Sequence, residues 1–201
     1  IAVSNQEEFI LGSWPELADH AALNPESFSC FSENQLSGTQ YLKNRISDDS
    51  IFSWIECRSF PGGKRHLIPA QLAYLRHNHE NGEPILREAN SNGAAAGTSK
   101  DMAAYNAIME IIERDAFMIH WLNNITPQKI SKFELKSSDS DKIRRLLGEY
   151  EKYKIDFELL DITTDLGVPV FMVAIRDIGP GRAVVYLASR ADLDIQRGIE
   201  S

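Results

Sequence analysis

Cysteine is scarce, basic charge is outnumbered, and no long apolar run occurs in these 201 residues. Cys30 and Cys57 form no C-x-x-C and no metal-like spacing, which removes zinc-ribbon and thioredoxin-type readings. Two thiols without a framework suit a reducing cytoplasm, where disulfides are rare. Lys and Arg number 21 against 29 Asp and Glu, a net charge of −8. Nucleic acid and anionic membrane are therefore poor partners, since both need a basic footprint; a basic peptide suits the charge better. No stretch approaches the roughly 20 apolar residues that span a bilayer, and no signal-peptide pattern opens the chain. Internal repeats, low-complexity tracts and a G-x-x-x-x-G-K-[ST] phosphate loop are also missing. What remains is an ordinary globular composition, 43% hydrophobic and 25% charged, long enough for one domain, residues 1–201, with a real core.

The stretch from Ser91 to Ala116 organises the chain. Ser91-Asn92-Gly93-Ala94-Ala95-Ala96-Gly97-Thr98-Ser99 reads as a small-residue loop opening a long helix. Gly93 and Gly97 permit backbone shapes and close approaches that a side chain would block. Ser99 is a good N-cap and Asp101 sits in the first turn, where negative charge meets the positive end of the helix dipole. No proline or glycine follows until about Asn123, which predicts a helix of roughly six to seven turns.

At about 100° per residue, Asn106, Glu110, Glu113, Arg114 and Phe117 share one stripe of that helix. Tyr105, Ile108, Ile112, Ala116 and Ile119 fall opposite, with Asp115 the one polar residue among them. An apolar side plus a narrow acid–base stripe predicts burial on both sides. Glu-x-x-Glu-Arg is commonly just a solvated face with an i,i+4 ion pair worth a few tenths of a kcal/mol. The loop directly ahead and the nearby aromatic residues favour a site instead. Two partly buried carboxylates repel and need cations. Arg114 answers one of them, and a divalent metal would answer the other.

Along the rest of the chain, Pro15 to Leu23 reads as a short helix ended by Asn24-Pro25, and Gln40-Tyr41-Leu42 as an extended piece. Ile51 to Phe60, the turn Pro61-Gly62-Gly63-Lys64, and Arg65 to Leu75 predict a β-hairpin. His77-x-His79 offers two metal-ligand types without a third in evidence, so no metal site is expected there. Arg87 and Glu88 read as a strand-end ion pair. Asp139 to Lys154 is an amphipathic surface helix whose basic residues are a solvated face. Asp156 to Ile162, Val168 to Arg176 and Arg182 to Ser189 read as strands, the last two as a hairpin through Gly179-Pro180-Gly181. The fold class is mixed α/β (α+β): a largely antiparallel sheet with packed helices.

Ser91-Asn92-Gly93, Ala95-Ala96-Gly97, Glu110-x-x-Glu113-Arg114-Asp115-Ala116 and the following Trp121 together resemble the central motif of the YcaO family. Trp54-Ile55-Glu56 with Ile68-Pro69-Ala70 resembles the paired strands before that motif, and Asp161 to Val170 the strand segment after it. The likeness runs in order over nearly all 201 residues. It implies ATP-dependent phosphorylation of a backbone amide oxygen in a peptide after attack by a neighbouring nucleophile. In azoline-forming members the nucleophile is a Cys, Ser or Thr side chain of the substrate; other members use external sulfur and make thioamides. The run Glu113 to Leu122 is most similar to the cyclodehydratase branch that modifies bacteriocin-like peptides.

The resemblance further implies ATP and Mg²⁺ as cofactors, with Glu110 and Glu113 at the metal and Arg114, Ser91, Asn92 and Gly97 at the phosphates. It singles out no catalytic residue. Implied partners are a ribosomally made precursor peptide and a leader-peptide-binding protein, with a homodimer as a further arrangement. A docking scaffold without catalysis is the reading from another class, and it draws on the departures. Met102 stands where the family commonly has an acidic residue, with Asp101 one place early. An earlier Glu-x-x-Glu-Arg helix and a later Glu/Gln-bearing helix are not within the 201 residues. The chain is therefore expected to be an internal piece of the domain, truncated at both ends and inactive alone.

Overall fold

A computed structural model describes residues 9–38, 41–79, 82–136, 140–179 and 182–200. The chain divides into two compact units, residues 1–91 and 92–201. Each holds its own antiparallel sheet, so the expected antiparallel pairing is present but shared between two sheets.

In the first unit, β1 (Ile10–Ser13) pairs with β2 (Ile51–Arg58), and β2 pairs with β3 (Arg65–Pro69) through the predicted hairpin. Trp54 and Phe52 of β2 are completely enclosed, packed with Leu67 and Leu86 and with the partly buried Trp14, Leu17 and Phe28. The Trp54 indole N–H donates to the Gly12 carbonyl at 2.9 Å, so its one polar atom is satisfied inside the core.

The helix expected over Pro15–Leu23 is shorter. α1 covers Trp14–Leu17, a 3₁₀ turn covers Ala18–His20, and Ala21 turns left-handed with φ 62°. Competition for the backbone explains the early end. Leu23 donates to the Leu67 carbonyl and Leu67 to that of Ala21, so this stretch is drawn onto β3. The strand expected to reach Leu75 stops at Pro69, and Ala70–Leu72 makes a 3₁₀ turn. Past the proline the ladder is abandoned for a local turn. After α2 (Glu33–Leu36), the extended piece expected over 40–42 falls partly on Gln40, outside the described residues; Leu42–Asn44 is a 3₁₀ turn. The thiols stay free: Cys30 is exposed, and burial, aided by Glu56, pushes the Cys57 thiol up, away from nucleophilic use.

In the second unit, α3 spans Lys100–Leu122 with Ser99 as its cap; the Ser99 hydroxyl accepts from the Met102 amide at 3.2 Å. The sheet follows in order β4 (Gln128–Ile130), β5 (Asp156–Asp161), β6 (Val170–Gly179) and β7 (Arg182–Ala191). Between β4 and β5 lie α4 (Lys132–Lys136) and α5 (Asp141–Lys152), and α6 (Ile195–Glu200) comes last. Asp139, where α5 was expected to begin, and the Pro180-Gly181 turn lie outside the described residues.

Strand alternation sorts the two faces of this sheet. Phe157, Leu159, Phe171, Val173 and Ile175 point to one side and meet Ile143, Leu147 and Tyr150 of α5. Val170, Met172 and Ala191 point to the other and meet Tyr105, Met109, Ile112, Ala116 and Phe117 of α3. The seam of α3 is thus centred on Met109 and Ala116. Its far side is not covered as expected: Ile108, Ile111, Met118 and Leu122 are exposed. Among the described residues no helix is long and apolar enough to cross a membrane.

Candidate functional site

Two features build the site: the glycine-rich loop and the edge of the α3 seam. The loop lies back along the first three turns of α3. Gly93, with φ +79°, comes level with Ile111, and its amide donates to Glu110 Oε2 at 3.2 Å. The Ala96 carbonyl accepts from Asn106 Nδ2 at 2.9 Å. At Gly97 an added Cβ would sit 2.5 Å from the Ala103 amide nitrogen and 2.8 Å from the Met102 carbonyl carbon. The small residues Ala94–Ala96 bridge these contact points and are themselves exposed. Sequence alone identified the glycines; the structure adds that the loop runs antiparallel to the helix and uses Asn106 and Glu110 as tethers.

The seam sets how deep each polar residue of the stripe lies. Glu113 follows Ile112 at the edge of the seam and is half-buried. Its Oε1 accepts from Ser189 Oγ at 2.8 Å. Ser189 stands opposite Met172 in the β6–β7 ladder, and so on the α3 side of the sheet. Glu110 is one step further round, its side chain 25% exposed, with Arg114 Nη2 at 3.9 Å. Arg114 is 55% exposed, so that pair is worth little by itself. Among the described residues no cation pairs with Glu113. Both carboxylates are thus partly buried and each is held by a neutral donor.

The other expected site residues are placed less tightly. Asn92 and Gly97 lie on the same loop of the second unit, whereas Ser91 closes the first unit; Ser91 and Asn92 are both exposed. Phe117 stacks on Trp121 with centroids 6.0 Å apart and planes 12° from parallel. Met102 is 47% exposed at the start of α3, beside the Gly97 contact. Arg87 and Glu88 belong to the first unit.

Two residues that the sequence did not single out help to hold α3. One is Ser189. The other is Asp192, completely buried just past β7. It accepts from the Tyr105 hydroxyl at 3.2 Å and the Asp194 amide at 3.0 Å, and pairs with Arg197 at 3.2 Å and Arg190 at 3.5 Å. Burial pushes its carboxyl up, but these hydrogen bonds and the two guanidinium groups outweigh burial and hold it below the usual carboxylate value. A group lowered in the folded state adds stability above its unfolded pKa, near 3.9 for Asp, and loses it as pH falls through the folded value. Asp192→Asn should therefore cost about 1.5–3 kcal/mol at neutral pH and flatten the fall in stability below about pH 4. Denaturant melts of both proteins from pH 7 to 2.5 check this; parallel curves would contradict it.

A family model described as YcaO cyclodehydratase, ATP- and Mg²⁺-binding, matches residues 1–201. An uncharacterised protein of Methanothermobacter thermautotrophicus is 30% identical over 156 residues, 77% of this chain and 36% of that protein. Two solved structures share the fold over 98% of this chain. One is a heterocyclase in complex with substrate and cofactor, at TM-score 0.81 and 23% identity, of which 27% is covered. The other is the heterocyclase TruD, at TM-score 0.77 and 24% identity, of which 29% is covered. The chain thus spans about a third of the curated relative's length and less of the two heterocyclases. Loop, helix and sheet all lie within the stretch that the family model describes, and the chain belongs to the YcaO family.

Proposed function

We propose that this chain carries the α3 part of an ATP- and Mg²⁺-dependent site that activates a backbone amide of a ribosomally made peptide for azoline formation. The observation that carries the reading is Glu113: a half-buried carboxylate fixed by Ser189, with no cation on it among the described residues, one turn from Glu110. Hard carboxylate oxygens in that number suit Mg²⁺, which prefers oxygen ligands and keeps several waters. Glu113 and Glu110 would hold the ion, and Arg114, exposed and planar, would meet phosphate oxygens. When bound, Mg-ATP supplies the phosphoryl group that turns an amide oxygen into a leaving group. The chain's own part is positioning. Ser189 fixes one carboxylate, the Gly93 amide fixes the other, and the tethered loop keeps bulky side chains off the start of α3.

The family description and a same-fold heterocyclase complexed with substrate and cofactor support the reading. The substrate is then a precursor peptide presenting Cys, Ser or Thr, and a separate protein captures its leader. The test incubates the full-length protein with such a peptide, its leader-binding partner and Mg-ATP, and follows peptide mass and phosphate release. Loss of one water per modified residue, with one phosphate released, is expected. Exchange of oxygen for sulfur would move the assignment to thioamide chemistry. No change in mass with Mg-ATP still bound would favour a docking scaffold.

A further inference from the structure

Outside the α3 site, the first unit contains a second cluster with metal-binding chemistry. Sequence spacing offered only His77 and His79; the structure brings Glu83 to them. One ligand atom from each of the three residues lies within 4.8 Å of the other two. His77 Nε2 is 2.9 Å from Glu83 Oε2, and the His77 and His79 rings meet edge to face with centroids 5.2 Å apart. We propose that His77, His79 and Glu83 form a three-ligand site for a divalent transition-metal ion of the Zn²⁺ type.

The donor set separates this site from the nucleotide site. Two imidazole nitrogens and one carboxylate oxygen suit zinc-like ions, whereas Mg²⁺ wants oxygen alone. Two nitrogens and an oxygen around one tetrahedral ion at about 2.0–2.2 Å lie roughly 3.3 Å apart. The three ligand atoms, all within 4.8 Å of one another, need to close by at most about 1.5 Å to reach that arrangement. Three protein ligands leave a fourth position for water or a ligand.

The surroundings are built as a metal site's are. Gln71 Nε2 donates to Glu83 Oε1 at 2.8 Å and to the Pro84 carbonyl at 2.9 Å, while Gln71 Oε1 accepts from the Leu86 amide at 2.9 Å. The carboxylate is thus aimed by a side chain that is itself fixed on two sides, the outer-shell support that orients metal ligands. Phe9 lies edge-on to His77 with centroids 5.7 Å apart. The side chains of Glu83 and His77 are 1% and 4% exposed, and a carboxylate so enclosed calls for a positive partner. Lys43 acts electrostatically on His79 and opposes a cation there. A bound ion would clip Glu83 to the two histidines and tie His77 and His79, through Glu83, to Gln71 and Leu86.

The test uses the tag-free protein stripped with a chelator. Titration with Co²⁺, read by its visible ligand-field bands, and competition by Zn²⁺ should show one ion per chain. His79 is exposed, so His79→Ala should fold as wild type by circular dichroism. It should nevertheless bind at least about tenfold more weakly, the lower end of what even outer-shell changes cost, and lose the rise in Tm that Zn²⁺ gives the wild type. His20→Ala should bind as wild type. Crystals soaked in Zn²⁺ provide a reading independent of any variant: an anomalous peak about 2.0–2.2 Å from all three side chains. Absence of stoichiometric binding, His79→Ala titrating like wild type, or a peak elsewhere would overturn the site. The His77–Glu83 contact would then be a buried hydrogen bond and nothing more.

Discussion

Glu113→Gln in the full-length protein should weaken Mg-ATP binding about 10–100-fold and lower turnover about 10²–10³-fold, while leaving Tm within about 1 °C of wild type. The split follows from what the carboxylate touches. Its Oε1 accepts one hydrogen bond, from Ser189 Oγ, and the amide oxygen of Gln accepts that bond equally well. Fold and α3 seam should therefore survive. What Gln cannot replace is the charge that a divalent cation answers, and losing a ligand should cost at least what loss of an outer-shell group does, about 10–100-fold in affinity. The turnover loss is the usual scale for removing one group that meets charge developing in the transition state. Calorimetric titration with Mg-ATP beside a thermal melt separates the two effects. Equal affinity for both proteins would remove Glu113 from the metal.

Gly97→Ala should be the most damaging single methyl in the loop, costing about 1–3 kcal/mol as an overpacked contact and weakening Mg-ATP binding as well. The atoms that the new Cβ would meet are the Ala103 amide nitrogen at 2.5 Å and the Met102 carbonyl carbon at 2.8 Å. Both are backbone of the first turn of α3, so no flexible side chain can move aside. The Ala103 amide is already donated to the Ser99 carbonyl at 3.0 Å. Relief requires the loop to lift from the helix, which pulls on the Asn106–Ala96 and Glu110–Gly93 tethers together. Gly148→Ala, where nothing lies within 4 Å of the added Cβ, is the control: inside α5 the change should be neutral or mildly stabilising. Equal Tm shifts for the two substitutions would show that the loop does not depend on the close approach.

Much of this arrangement is legible in the sequence because its causes are local. Ser99 ahead of an unbroken helical pattern marks the start of α3, and Pro61-Gly62-Gly63 marks the first hairpin. Alternation locates β5, β6 and β7 to within a few residues. The failures share a different cause. Pro15–Leu23 has helical composition, yet residues 21–23 bond to β3 some 45 residues away in sequence, on the order of half a small domain. β1 and β4 are too short, at 4 and 3 residues, for a period of two to register.

The same distinction divides the site. Glu110, Glu113, Arg114 and Gly97 are candidates that spacing within one loop and one helix suggests. Ser189 meets Glu113 only because the β6–β7 ladder sets it opposite Met172, 76 positions along the chain from its partner. Asp192 is an ordinary post-strand aspartate until Tyr105, Arg190 and Arg197 converge on it. Glu83 lies six positions from His77, and only the structure shows their side chains in contact. The exposed far side of α3 departs from the wheel for a plain reason. Apolar residues all round a helix say that it can be covered on every side, and the sheet covers only the Met109–Ala116 seam.

The most direct measurement is anomalous diffraction from the full-length protein crystallised with Mn²⁺ in place of Mg²⁺ and a non-hydrolysable ATP analogue. A manganese peak is expected beside the Glu113 carboxylate, with Glu110 as its neighbour and Arg114 turned toward the phosphates. A manganese–nucleotide complex bound away from α3, with Glu113 still held by Ser189 alone, would contradict it.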